Sequence, residues 1–235
     1  MALQIHTLFP TAVATAQLML DPLELSAQLQ TLLMLRGADE GNPSPGCAWT
    51  GDLNGVWQLH RHPDFSGLTD RVVEQAWVYL SAVGFDQAKL ALHVQRCWPV
   101  LSDWDQVVGR HHHPNAHLSA VLYLSGSGSG EDGVLRIHAP SQPNELVPGS
   151  AAGHGGPIAA GHPLNQPHWD LAPQPGLLVL FPSRLEHSVL ANGDPELLRC
   201  SISFDFVLTA PVDGDPPEYL APHPSLWTPQ PLEVN

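Results

Sequence analysis

Arg199-Cys200-Ser201-Ile202-Ser203-Phe204-Asp205-Phe206 alternates without a break between apolar and polar side chains. Cys200, Ile202, Phe204 and Phe206 share one face and Arg199, Ser201, Ser203 and Asp205 the other, which is the two-residue period of a β-strand. The apolar face requires a core to pack on. If the opposite face lines the interior of a barrel, a guanidinium and a serine hydroxyl are buried there and need partners. A guanidinium fork matches a carboxylate bidentately, and the hydroxyl adds a further donor. The competing reading leaves Arg199 on the surface, paired with Glu186.

Working outward, four further segments read as strands: Leu90 to Trp98, Leu118 to Ser125, Gly133 to His138 and Gly176 to Phe181. A fifth, shorter one runs from His187 to Ala191. The Ser/Gly run Ser125–Gly130 and Asn192-Gly193-Asp194 separate them as turns. Before the strands the period is helical. Asp21 precedes Pro22 and Glu24 as a cap, Leu25, Leu29, Leu32 and Leu33 recur at helical spacing, and Gly37 is a stop. A second helix spans about Gly67 to Val83, with Leu68, Val72, Ala76 and Leu80 on one stripe. Gly41 to Gly55 reads as loop. Helices first and short strands afterwards predict a mainly β fold, an antiparallel sandwich or barrel carrying helices on one side.

One domain over residues 1–235 is the economical division, with a helical N-terminal segment (residues 1–88), a β core (residues 89–208) and a Pro-rich tail (residues 209–235). Residues 139–175 hold eight Pro and five Gly and no period, which predicts a long insertion, with a lid over a site as its first assignment. The tail is expected to drape over the body or over a second subunit of a homodimer.

Nine Lys plus Arg against 23 Asp plus Glu leave a formal charge of −14, which excludes the basic stripe that nucleic-acid or anionic-membrane binding needs. No apolar run is long enough to span a bilayer. Met1-Ala2-Leu3-Gln4 lacks the positive and apolar regions of a secretory leader. Three cysteines, Cys47, Cys97 and Cys200, are odd in number and without metal spacing, which suits a reducing compartment and predicts a cytoplasmic protein.

The 14 histidines are the compositional outlier. His111-His112-His113 precedes the Leu118 strand, and on extended chain His111 and His113 point to one side while His112 faces away. Converging neutral imidazoles suit a first-row transition metal. His187, six residues after Phe181, is the best third ligand. The plain alternative is a solvated histidine patch. A rival set, His168-Trp169-Asp170, contains a carboxylate but stands only 17 residues before His187. His138, His154 and His162 read as solvent-facing. His60, His62 and His93 read as ordinary satisfied or exposed histidines, Trp98 and Trp104 as core or rim aromatics, and Cys200 as a packed thiol.

His111-x-His113-Pro114, Ser119-Ala120-Val121-Leu122-Tyr123-Leu124, Phe181-Pro182-Ser183 with His187, and Arg199-x-Ser201-Ile202-Ser203-Phe204 together resemble a 2-oxoglutarate/Fe(II)-dependent oxygenase family with a His-x-His-Pro-x-Ser motif. With Ile5-His6-Thr7-Leu8-Phe9-Pro10 and the Trp98 region, the resemblance covers most of residues 4–208. It implies a double-stranded β-helix (a jelly-roll, cupin-like), with iron near one open end. His111 and His187 match the two family histidines. In the wider superfamily the position two after the first holds Asp or Glu; here it is His113, which either ligates as a third imidazole or stands behind a ligand, with water completing the set. Arg199 matches the residue that pairs with the distal carboxylate of 2-oxoglutarate, Ser201 assists and Tyr123 is a third contact. The family's Gly and first Tyr are Ala120 and Leu122 here.

The function so implied is an Fe(II)- and 2-oxoglutarate-dependent dioxygenase, a hydroxylase of a small-molecule or peptide substrate. The rivals are a three-His zinc hydrolase or lyase on the same scaffold and a non-catalytic metal-binding jelly-roll.

Overall fold

A computed structural model describes residues 3–37, 46–142, 144–147, 150, 155–159, 161–213 and 215–230. In chain order its elements are β1 (Ala14–Gln17), α1 (Pro22–Gly37), β2 (Trp49–Thr50), α2 (Ser66–Ala82), β3 (Ala91–Ser102), β4 (Val108–His111), β5 (Leu118–Tyr123), β6 (Leu135–His138), β7 (His168–Leu171), β8 (Leu177–Pro182), β9 (His187–Val189) and β10 (Arg199–Thr209). All strand pairings are antiparallel. A six-stranded sheet runs β1-β8-β5-β10-β3-β2 and a four-stranded sheet β4-β9-β6-β7. Two such sheets with helices packed on one of them form the jelly-roll.

The alternation of β10 assigns its two faces to two different cores. Cys200, Ile202, Phe204, Phe206 and Leu208 pack with Leu32 of α1 and with Leu68, Val72, Ala76 and Leu80 of α2. Each buried Leu, Ile, Val or Phe among them contributes about 1.5–3 kcal/mol. Arg199, Ser201, Ser203 and Asp205 turn inward, between the sheets. The neighbouring strands follow the same rule: Leu118, Ala120 and Leu122 of β5 and Leu178 and Leu180 of β8 meet the helices. Val121, Tyr123, Val179 and Phe181 face the four-stranded sheet, where Leu135, Ile137, Leu171 and Val189 close a second core. Helix α1 begins as its cap demands, with Asp21 Oδ1 accepting from the amides of Leu23 (2.9 Å) and Glu24 (3.1 Å).

The structure departs from the sequence reading in five places. The segment before Gly55 is not plain loop: β2 pairs with Leu101 and Val100 of β3, and a 3-10 turn covers Gly51–Asn54, while residues 41–45 lie outside the described residues. Strand β3 continues past Trp98 to Ser102, because β10 supplies partners along its whole length. Two further strands have no counterpart in the sequence reading: β4, which pairs with β9, and β1, which pairs with β8. Residues 139–175 are not unpatterned throughout, since β7 pairs with β6 in register from Leu135↔Leu171 to His138↔His168. Four residues are too few for a period to show. Finally, His138 is half-buried, its Nε2 3.0 Å from Ser188 Oγ, and His60 Nδ1 is buried without a hydrogen-bond partner among the described residues. His154 lies outside the described residues.

The described residues of the tail fold back on the body. Ala210 N donates to Ala221 O (2.8 Å), Leu220 packs on the main core, and the His223 ring meets the His93 ring edge-on at 4.9 Å. No described helix is long and apolar enough to cross a membrane.

Candidate functional site

Strands β4 and β9 pair so that His111 stands directly opposite His187. Two residues on, the chain turns inward: His113 N donates to Ser183 O (3.0 Å), and its side chain is buried while His112 stays exposed. The three rings converge, with centroids 4.3 Å (His111–His187), 5.1 Å (His111–His113) and 5.0 Å (His113–His187) apart. One ligating nitrogen from each lies within 4.8 Å of the other two.

What stands behind each ring determines its tautomer. His111 Nδ1 lies 2.7 Å from Gly109 O and His187 Nδ1 2.9 Å from Leu185 O. A carbonyl oxygen only accepts, so both Nδ1 atoms carry the proton and both Nε2 atoms keep a free lone pair. His113 Nδ1 lies 2.6 Å from Asp205 Oδ1, which likewise accepts. Hydrogen bonds of this kind orient metal-ligating histidines. Burial, followed by the His111 ring beside it, pushes the His187 imidazole down to about 3. Burial also lowers His111, although its bond to Gly109 O works against it. Both rings are therefore neutral at physiological pH, the state a metal requires. The donor set fits a first-row divalent cation.

Asp205 is fully buried. Ser119 Oγ donates to its Oδ1 (3.0 Å) and Arg96 Nη2 to its Oδ2 (3.0 Å). Burial alone would raise this carboxyl, but the hydrogen bonds from His113, Arg96 and Ser119 outweigh it and hold Asp205 below the ordinary value. The Arg96 guanidinium lies over the Trp98 ring at 4.8 Å, and Trp98 in turn packs against His113 at 5.5 Å.

Arg199 occupies the same cavity, of about 440 Å³, whose walls also carry the three histidines, Trp98 and Ser201. It is only 1% exposed. Its Nε donates to Gly133 O (3.1 Å), Nη1 to Ser201 Oγ (3.2 Å) and Nη2 to the Tyr123 hydroxyl (3.3 Å). Gly133 is required here: at φ +78° its missing Cβ would lie 2.9 Å from Arg199 Cδ. Burial raises the Tyr123 hydroxyl, with Arg199 pulling the other way. Among the described residues no carboxylate oxygen lies within 4.0 Å of an Arg199 nitrogen. A guanidinium has five N–H donors, so one on each Nη is left for a ligand.

The geometry separates Arg199 and the histidine cluster from their alternative partners. Glu186 pairs with Arg110 and not with Arg199. Asp170 is bound by Arg136 across the β6–β7 ladder (2.8 and 2.7 Å), so His168 and Asp170 take no part in the histidine cluster. No described residue of 139–175 lines the cavity, so the lid assignment gains no support. Trp104 is 62% exposed and away from the cavity, whereas Trp98 lines it. The sequence reading does not single out Asp205 or Arg96 as site residues. Asp205 carries a signal, since it sits on the polar face of β10.

Residues 96–205 match the family described as "Putative 2OG-Fe(II) oxygenase". Residues 96–205 carry a 2OG-Fe(II) oxygenase domain. The matched span of this oxygenase runs from Arg96 to Asp205 and includes all three clustered histidines and Arg199. Its fold is similar to that of a Pseudomonas putida prolyl-4-hydroxylase (20% identity, TM-score 0.52, covering 84% of this chain and 92% of the other). The non-heme alpha ketoglutarate dependent carbocyclase SnoK from nogalamycin biosynthesis is similar at 14% identity and TM-score 0.58, covering 85% and 82%. HygX from Streptomyces hygroscopicus, with nickel, 2-oxoglutarate and hygromycin B bound, is similar at 17% and 0.54, covering 84% and 83%. No curated protein matches the sequence.

Proposed function

We propose that this oxygenase is an Fe(II)- and 2-oxoglutarate-dependent hydroxylase of a small-molecule or peptide substrate, with residues 1–235 acting as one domain. His111, His113 and His187 hold the metal, and Arg199, assisted by Ser201 and Tyr123, seats the distal carboxylate of 2-oxoglutarate. With both groups bound, the centre supplies the oxidation: one oxygen atom of O₂ enters a substrate C–H bond as hydroxyl, and 2-oxoglutarate takes the other as it is cleaved to succinate and CO₂.

The observation that carries the reading is the buried Arg199 guanidinium, which shares a cavity with the histidines and has an N–H to spare on each Nη. A buried cation needs an anionic partner, and a dicarboxylate reaching from the metal supplies one. Neither hydrolysis at a three-His zinc site nor a non-catalytic metal site requires such a receptor by itself. The chain's own residues do the positioning. Carbonyl and carboxylate acceptors hold the imidazoles with Nε2 bare, Tyr123 and Ser201 orient the guanidinium, and Val121, Leu135 and Val189 keep water from the cavity wall. The odd cysteine count without metal spacing supports a reducing compartment, here assigned to the cytoplasm.

The test is anaerobic addition of Fe(II) and then 2-oxoglutarate, followed by exposure to air. A weak visible metal-to-ligand absorption band and succinate release that needs both additions are expected. A folded, Fe(II)-loaded sample showing neither overturns the reading. Tight zinc with no succinate would favour the hydrolytic alternative.

A further inference from the structure

Three imidazoles bring no negative charge to a divalent metal, whereas the wider superfamily holds a carboxylate at the position of His113. The structure places a carboxylate one hydrogen bond further out. Asp205 Oδ1 accepts from His113 Nδ1 at 2.6 Å, and its other oxygen accepts from Arg96 Nη2. Arg96 does not cancel the charge of this group, because Asp52 Oδ2 also lies 3.7 Å from Arg96 Nη1. The line Asp52, Arg96, Asp205 therefore sets two carboxylates against one guanidinium and keeps a surplus negative charge beside the histidine cluster. The position of Asp205 is also over-determined. Ser183 and Ser119 hydroxyls meet at 2.8 Å, and Ser119 Oγ donates its proton to Asp205 Oδ1. Asp205 itself sits where the β10–β3 register shifts, between Asp205 and Phe206.

We infer that Asp205 is a positioning residue for the metal centre: through the His113 Nδ1–H···Oδ1 bond it fixes the ring with Nε2 bare and lends the ligand set the negative charge that the three imidazoles lack. The inference rests on the reading of His113 as a ligand. Asp205 touches neither metal nor substrate; it acts through His113. Carboxylate partners of this type change metal affinity by about 10–100-fold.

The experiment compares Co(II) affinity, by competition with a chelator, in the wild type, Asp205→Asn, Asp205→Glu, His113→Ala and the double variant Asp205→Asn/His113→Ala. Asparagine keeps the size and one acceptor oxygen but loses the charge. Expected are a 10–100-fold loss in Asp205→Asn, partial recovery in Asp205→Glu, and a double variant no weaker than His113→Ala alone. Losses that add in the double variant would mean that Asp205 acts through the fold, and would overturn the inference. So would an Asp205→Asn protein within twofold of wild type while His113→Ala is impaired; that result leaves His113 as a ligand. If His113→Ala itself binds Co(II) normally, the ligand reading of His113 is what fails. Should Asp205→Asn not fold, nitrogen NMR of the Zn(II)-loaded wild type decides. A proton on His113 Nδ1 supports the inference, and a proton on Nε2 sinks it.

Discussion

Replacing Arg199 by methionine separates a ligand receptor from a structural ion. In the wild type three guanidinium N–H groups are taken by Gly133 O, Ser201 Oγ and the Tyr123 hydroxyl, leaving one on each Nη. Two charge-assisted bonds to a carboxylate contribute about 3–6 kcal/mol, at roughly 1.5–3 each. Removing them weakens 2-oxoglutarate binding by roughly 10²- to 10⁴-fold, at about 1.4 kcal/mol per factor of ten. Stability responds differently. Methionine removes a cation whose burial costs several kcal/mol, together with three bonds that contribute about 4–9 kcal/mol in all. These effects oppose one another, so the metal-free protein should change by only about 2 kcal/mol. Titration calorimetry of 2-oxoglutarate into Mn(II)-loaded protein measures the first quantity and urea denaturation of the metal-free protein the second. The outcome that refutes the reasoning is an affinity within threefold of wild type together with a stability loss above about 3 kcal/mol. It would mean that Arg199 serves the fold and not a ligand.

Four further outcomes are expected. Tyr123→Phe, which removes one buried bond to Arg199, should weaken 2-oxoglutarate binding by about fivefold, close to 1 kcal/mol, with Mn(II) affinity unchanged. Asp170→Asn should leave Co(II) affinity unchanged and cost under about 1 kcal/mol in urea, because Asp170 serves a partly exposed pair with Arg136. A thiol reagent at pH 8 should leave Cys97 and Cys200 unmodified in the native protein and reach both only after unfolding, since burial pushes the Cys200 thiol up to about 12 and Cys97 also well up. Phe204→Ala should destabilise by about 3–5 kcal/mol, because its ring is 1% exposed within the core under the helices.

Local pattern alone is enough for the cap at Asp21, the α2 stripe, the two faces of β10 and the pointing of His111 and His113 to one side. Each of these depends on residues a few positions apart, which the 3.6- and two-residue periods report directly. The same periods also bring Arg199, Ser201 and the histidines into one hypothesis. Tertiary structure decided the rest. Strands β5 and β8 are buried on both faces, so their sequences could not say which side meets the helices. Strands β1, β2 and β7 are two to four residues long and are held by their pairing with β8, β3 and β6. The carboxylate behind His113 comes from 92 residues away, and Arg96 reaches that carboxylate across 109. Separations of that size leave no periodic trace; only the closing of the two sheets brings those charges together.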